Sequence, residues 1–222
     1  MHRSSLYRVC GPAVIAAGLI LLTAFSLMPQ PPESLAAAVD FDLSKYALAN
    51  WMLTIGSILL LGGWIGLTEH LNESIVEGWS TLGLGGVITG CVGLAIAGAI
   101  SAESVPRLLD AYSEIGPRAT QAYYTIQLLT GALGTMAWAI LWIGTALTGL
   151  AIDEDDEYPR RLGYTGLAIA AVEISTQFLK PTSLLHDALG LLGCVWLISV
   201  GFIFSRIDKT SPALTKETGP LV

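Results

Sequence analysis

Glu173 is the residue of this sequence with the clearest chemical potential, because it is an acid inside an apolar stretch. It lies in segment 162–179, six residues before Leu179, and so about 10 Å from the end of a helix that rises ~1.5 Å per residue. An ionised carboxylate at this depth in a membrane is costly unless it is paired or faces a wet cavity. We expect Glu173 to be neutral at pH 7 and to donate a hydrogen bond to Ser57, Gln127 or Thr130.

Other polar residues reach a similar depth when they are counted inward from the same end of their predicted helices. Gln177 lies one turn from Glu173 on the same face. The others are Ser57, Thr54, Gln127 and Thr130, with Asn50, His186 and Asp187 nearer the mouth. This set predicts an outward-facing polar pocket for a cation, a proton or a polar ligand. In the simpler alternative, a neutral Glu173 only bonds a neighbouring helix and has a structural role.

The histidines do not have the spacing of a metal or haem site. Glu69, His70 and Glu73 can share one helix face, but zinc needs three or four ligands and no His-Glu-x-x-His occurs. His70 falls at the inner end of the second helix and His186 at the outer end of the sixth. The two are therefore predicted to lie on opposite sides of the membrane, about 30 Å apart across the bilayer core. His2 lies in the N-terminal segment. We therefore predict no metal and no cofactor.

Serine and cysteine patterns do not predict a nucleophile either. Ser183 lies near His186 and Asp187, yet no nucleophile elbow accompanies it, and its simpler role is to cap the sixth helix. The three cysteines, Cys10, Cys91 and Cys194, lie in or beside apolar runs, as small packing residues do. We predict no catalytic residue.

The composition indicates a membrane protein. Apolar residues make up 53% of the 222 residues and charged residues 13%, whereas a soluble domain has about 25% charged residues. The apolar residues are grouped in long runs, which is typical of helices that span a bilayer. The net charge of −7 argues against nucleic acid as a partner.

Six apolar runs approach the length of about 20 residues that one crossing needs. The spans are 11–28, 49–67, 82–101, 123–152, 162–179 and 185–205, of which the fifth is the least apolar. They predict an all-α bundle of six transmembrane helices in a single membrane domain, 1–222. Segments 30–48 and 102–122 fall outside the membrane, and we expect them to form a small cap, the second with a short amphipathic helix.

Lysine and arginine placement predicts the orientation. With the N-terminus inside, the inner segments hold seven basic residues and the outer segments four. This excess favours both termini in the cytoplasm of a cell-membrane protein. Trp138, Trp142 and Trp196 lie deeper than the aromatic residues at the span edges, and we expect them to pack between helices or to face lipid.

Glycines predict where helices approach closely, since small residues drive helix packing in lipid. The third span holds Gly86, Gly90 and Gly93, and the second repeats the GxxxG spacing with Gly62 and Gly66. We expect the third helix to occupy the crowded centre of the bundle.

Three stretches resemble a broad group of prokaryotic multi-pass membrane proteins without assigned function, the DUF4386-like proteins. They are "GGWIGLTEHL" (62–71), "AWAILWIGTALTGLAI" (137–152) and "YPRRLGYTGLAIAA" (158–171). In that group a helix with tryptophan and glycine leads into a Pro-Arg-x-Leu-Gly turn, which Pro159, Arg160, Leu162 and Gly163 match here. The resemblance implies a bundle of six or seven helices and no known activity. The acidic run 153–157 departs from the usual basic or neutral turn.

Three functions remain open from the sequence. The first is a non-enzymatic accessory subunit that docks on other membrane proteins, or on itself, through small-residue faces. The second is a transporter of protons, cations or small solutes that uses the Glu173 pocket. The third, an intramembrane enzyme acting on lipid, has no supporting motif.

The predicted orientation can be tested by labelling engineered cysteines in intact cells with an impermeant maleimide. We expect Leu35→Cys to react, and Asp155→Cys and Thr215→Cys to react only after permeabilisation. Reaction of Asp155→Cys but not of Leu35→Cys would reverse the orientation.

Overall fold

Six α-helices make up nearly all of the described chain. The computed structural model describes residues 3–29, 41–72, 77–154, 158–179 and 183–210, and these contain no strand. The helices are α1 Arg3–Leu27, α2 Leu43–Leu71, α3 Glu77–Ile115, α4 Pro117–Glu154, α5 Arg160–Leu179 and α6 Ser183–Thr210. Five of them, all but α5, are long and apolar enough to cross a membrane. The architecture is that of a multi-pass helical membrane protein.

The third and fourth helices extend well beyond the predicted spans. Segment 102–122, predicted as a loop with its own short helix, is instead the end of α3 and the start of α4. The two helices meet at Gly116, whose φ of 50° is a left-handed conformation that suits glycine. The loop prediction is wrong because hydropathy falls at residue 101, whereas the helical backbone continues past the apolar run. Most of the other expected cap segment, 30–48, lies outside the described residues.

A second, smaller apolar cluster lies where α2 begins and where α3 and α4 meet. Its buried members are Tyr46, Val105, Ala119 and Tyr123. Leu108 and Leu109 pack against it, so the apolar residues expected in a short amphipathic helix are used by the end of α3. Asp42 caps α2, because its side chain accepts a hydrogen bond of 2.9 Å from the Lys45 backbone N–H.

Each helix packs antiparallel against the next, and α6 returns to α1, so the helices close into a ring. Gly149 of α4 faces Gly163 of α5 at one end of their interface, and Trp138 bonds Glu173 farther along. Gly11 of α1 packs against the α6 backbone. Because α1 and α6 are antiparallel neighbours, the start of α1 and the end of α6 lie at the same end of the bundle.

Aromatic side chains fill the centre of the ring. Trp64, Trp142 and Phe204 are buried almost completely. The ring centroids of Trp64 and Trp196 are 6.3 Å apart, and those of Trp138 and Trp142 are 5.7 Å apart. The deep tryptophans therefore pack between helices rather than facing lipid. The helix α3, expected at the centre, is instead one member of the ring.

Glycines determine the close contact between α3 and α4. Gly86, Gly90 and Gly93 all face α4. A Cβ added at Gly86 would lie 2.7 Å from the Gly144 Cα, and one added at Gly90 would lie 2.6 Å from the Leu141 Cβ. Real side chains do not approach this closely, so the two backbones can pack together only because these positions lack a Cβ.

The two glycines singled out on α2 have different surroundings. Gly66 packs against the Cys10 side chain of α1, as expected for a packing glycine. An added Cβ at Gly62 would meet nothing within 4 Å. The outward side of Gly62 is therefore open.

Gly90→Ala should destabilise the bundle by about 1–3 kcal/mol, since the new methyl group must push α3 away from α4. Gly85→Ala is the matched control on the same helix, because an added Cβ there meets nothing within 4 Å. Thermal unfolding in mild detergent measures both. Equal unfolding temperatures for the two variants would contradict the close α3–α4 contact.

Candidate functional site

The candidate site centres on Glu173, which lies on the inward face of α5. Its side chain is 0% exposed. Gly166 and Ala170 precede it on the same face at helical spacing and are also buried, whereas Val172 and Ser175 face outward. The small residues on this face bring α5 close to its neighbours, so that the carboxyl group reaches the interior.

The Glu173 carboxyl bonds a tryptophan of the neighbouring helix. The indole N–H of Trp138 donates to Glu173 Oε2 at 3.0 Å. On α5 itself, the Thr176 hydroxyl donates to the Glu173 backbone oxygen at 2.7 Å. The Trp138 ring is in turn held by an edge contact with Phe25 of α1, with centroids 5.0 Å apart. One polar bond thus joins α4 to α5 within an aromatic environment.

Two further polar atoms at this site have no hydrogen-bond partner among the described residues. They are Glu173 Oε1 and the Trp142 indole nitrogen, both fully buried. Both lie next to Gly193 of α6, where an added Cβ would be 3.5 Å from Glu173 Oε1 and 2.4 Å from a carbon of the Trp142 ring. The carboxyl therefore lies where α4, α5 and α6 meet.

The surroundings of Glu173 favour the neutral carboxyl. Within the described residues no lysine, arginine or histidine forms an ion pair with it. Burying a carboxylate in an apolar interior without a cation costs much free energy. Burying a neutral carboxyl that accepts a hydrogen bond from one indole costs far less.

The polar residues predicted to line a pocket with Glu173 mostly bond within their own helices. The hydroxyl groups of Ser57 and Thr130 donate to the backbone oxygens of Leu53 and Ile126, each four residues earlier. Thr54 donates to Asn50 O on its own helix and also to Ala95 O of α3. Neither Ser57 nor Thr130 hydrogen-bonds the carboxyl. The predicted bond, with Glu173 as the donor, is therefore wrong, since the carboxyl instead accepts a bond from Trp138.

Asn50 and Gln127, two further predicted pocket residues, form no hydrogen bond with Glu173. The Asn50 amide donates to Tyr46 O at 3.0 Å and to Met28 Sδ at 3.6 Å. The amide nitrogen of Gln127 is buried without a hydrogen-bond partner among the described residues. The side chains of Gln177 and His186 lie outside the described part of the structure.

Sequence reasoning missed Trp138 and Trp142 as the partners of the site. Their spacing of four residues places both on one face of α4. A buried indole N–H usually finds an acceptor, and Glu173 is the acid of an adjacent helix. The need of a buried indole N–H for an acceptor could therefore have predicted that these tryptophans lie near Glu173.

The other chemical candidates do not assemble into a site. His70 packs its ring against Tyr158 and Phe204, with centroids 5.9 Å and 5.6 Å apart. Glu73 lies outside the described residues, and within them no group of three metal-ligating side chains occurs. The cysteines Cys10, Cys91 and Cys194 are free thiols that are buried in the bundle. The side chains of Ser183 and Asp187 are not among those described.

No family model, curated protein or solved structure matches this chain. The resemblance to the DUF4386-like proteins therefore stays a prediction.

Substitutions of Glu173 test whether the carboxyl is neutral. Glu173→Gln keeps an acceptor for the Trp138 indole and should barely change thermal stability. Glu173→Leu leaves that N–H without a partner and should cost about 1–2 kcal/mol. In Glu173→Leu combined with Trp138→Phe neither group is left unpaired, so the loss should be less than the sum of the single losses. If Gln is as harmful as Leu, the carboxyl is ionised and paired.

Proposed function

We propose that this chain is a non-enzymatic accessory subunit of a membrane assembly, with six transmembrane helices and both termini in the cytoplasm. It acts through the outer faces of its helices rather than through an internal pocket. The packed aromatic centre is the observation that carries this proposal. A transporter or an enzyme needs an interior space that admits a substrate, and here Trp64, Trp142 and Phe204 occupy the centre.

The packing of α5 supports six crossings, although α5 is less apolar than the other helices. Gly163, near the start of α5, packs against Gly149 of α4, and Glu173, in the C-terminal half of α5, accepts a hydrogen bond from Trp138 of α4. Helix α5 therefore runs alongside a long apolar helix over most of its own length. An even number of antiparallel crossings places both termini on one side, and the excess of basic residues makes that side cytoplasmic.

The outer face of α4 offers the proposed docking surface. An added Cβ at Gly131 or Gly134 would meet nothing within 4 Å. The neighbouring Leu128 and Met136 are 75% and 64% exposed. In lipid, open glycines flanked by large apolar side chains allow close approach of another helix. The partner we propose is a transmembrane helix of another subunit.

The rival function, transport through Glu173, has one observation in its favour. Glu173 Oε1 and the Trp142 indole nitrogen are buried without partners among the described residues, as expected of a site that exchanges a proton or a water molecule. If the protein is a transporter, liposomes that contain it should show a proton or cation flux, and Glu173→Gln should abolish that flux. The accessory function predicts no such flux from the purified chain.

Docking can be tested by placing leucine at the open α4 glycines. Gly131→Leu with Gly134→Leu should leave the fold intact, because both side chains point into open space. It should lower recovery of the co-purified partner by about tenfold, the effect of ~1.4 kcal/mol. The measurement is co-purification from native membranes in mild detergent, followed by quantitative mass spectrometry.

Gly62→Leu is the matched control, since Gly62 is equally open but lies on α2. It should retain the partner. Equal loss in the two variants would indicate a general effect of added bulk. Recovery of the unmodified chain as a free monomer would contradict the accessory function itself.

A further inference from the structure

A groove of about 390 Å³ runs between α5 and α6 on the outside of the bundle. Its walls are Pro159, Arg161, Leu162, Thr165 and Ile169 of the α5 side and Leu192, Val195, Trp196, Ser199 and Ile203 of α6. The volume falls in the range of about 300–1,000 Å³ that small-molecule sites occupy. The groove opens to the surroundings of the bundle and not to its centre.

Trp196, on the α6 wall of the groove, contacts α5 in two ways. The Trp196 indole N–H donates to the Leu162 backbone oxygen at 3.1 Å. An added Cβ at Gly166 would lie 2.4 Å from the Trp196 ring, so the absence of a side chain there lets the indole pack closely against α5. The hydrogen bond and the close packing at Gly166 hold the Trp196 side chain against α5, so that it does not fill the groove.

The groove changes character along its length. At the start of α5 it is lined by Arg161 and Thr165, and Ser199 of α6 lies on the facing wall. Farther along, Ile169 and Leu192 make it wholly apolar, and Leu192 is 50% exposed. None of the described residues that line it carries a carboxylate. A cationic end followed by an apolar channel is complementary to an amphiphile with an acidic headgroup.

The length of the groove matches one leaflet of a bilayer. From Pro159 to Ile169 the groove covers ten residues of chain, which is about 15 Å at the rise of a helix. The hydrocarbon core of a bilayer is about 30 Å thick. An acyl chain that starts beside Arg161 would therefore end near the middle of the membrane.

We propose that this groove binds one phospholipid, with its phosphate on Arg161 and one acyl chain along Ile169, Leu192 and Val195. The arginine side chain extends its guanidinium toward the membrane surface while its stem stays apolar, and a guanidinium forms charge-assisted bonds to phosphate oxygens. This site requires that α5 and α6 lie in the bilayer and does not depend on the accessory function or on Glu173.

Photocrosslinking of the purified full chain tests the proposal. One probe is phosphatidylglycerol with a diazirine at the end of an acyl chain, and the other is a diacylglycerol with the same chain and no phosphate. We expect phosphatidylglycerol to label Ile169, Leu192 or Val195 about tenfold more than diacylglycerol does, as the loss of a charged hydrogen bond predicts. Equal labelling by the two probes would overturn the phosphate contact.

Matched variants separate the site from general effects. Arg161→Gln should lower phosphatidylglycerol labelling to the diacylglycerol level, whereas Arg160→Gln removes the same charge from a residue that does not line the groove and should change nothing. Val195→Trp should block the groove. Val92→Trp, at a similarly exposed position in the groove between α2 and α3, should not. Equal losses within either pair, or crosslinks of these positions to another polypeptide, would overturn the site.

Discussion

Three of the four buried tryptophans donate their indole N–H to an acceptor on a neighbouring helix, and Trp142 is the exception among the described residues. Much of the bundle depends on these three bonds. Trp138 donates to Glu173 between α4 and α5, Trp64 donates to Thr148 between α2 and α4, and Trp196 donates to Leu162 between α6 and α5. An unpaired buried donor costs about 1–3 kcal/mol. In an apolar solvent, where water supplies no alternative partner and apolar burial gives little drive, these bonds decide which helix faces meet.

Glycine makes the second contribution, because the indole bonds can form only if the helices approach closely. Gly86 and Gly90 bring α3 against α4, Gly66 admits Cys10, and Gly166 admits the Trp196 ring. The glycines and the indole hydrogen bonds have complementary roles. The glycines allow dispersion contacts over long stretches of backbone, and the tryptophans select one register of those contacts through a directional bond.

The same packing that stabilises the bundle constrains its function. Since aromatic rings hold the centre, the two recognition surfaces that we propose are outer ones: the open glycines of α4 and the groove beside Arg161. These two surfaces suit different partners. The proposed partner of the small-residue face is a helix, whereas the proposed ligand of the groove with a cationic end is a single lipid chain and its phosphate.

The sequence by itself determined that the chain is helical, multi-pass and closely packed through glycine, because apolar runs of membrane length have few alternative structures. It also identified Glu173 as the acid to explain. The end of α3 and the start of α4 were predicted wrongly from the sequence, because hydropathy does not show that a helix continues past its apolar run. Only the tertiary structure decided that Trp138 is the partner of Glu173 and that α5 and α6 leave a groove. Nearly every face of an apolar helix is apolar, so helical periodicity alone does not specify which faces will meet.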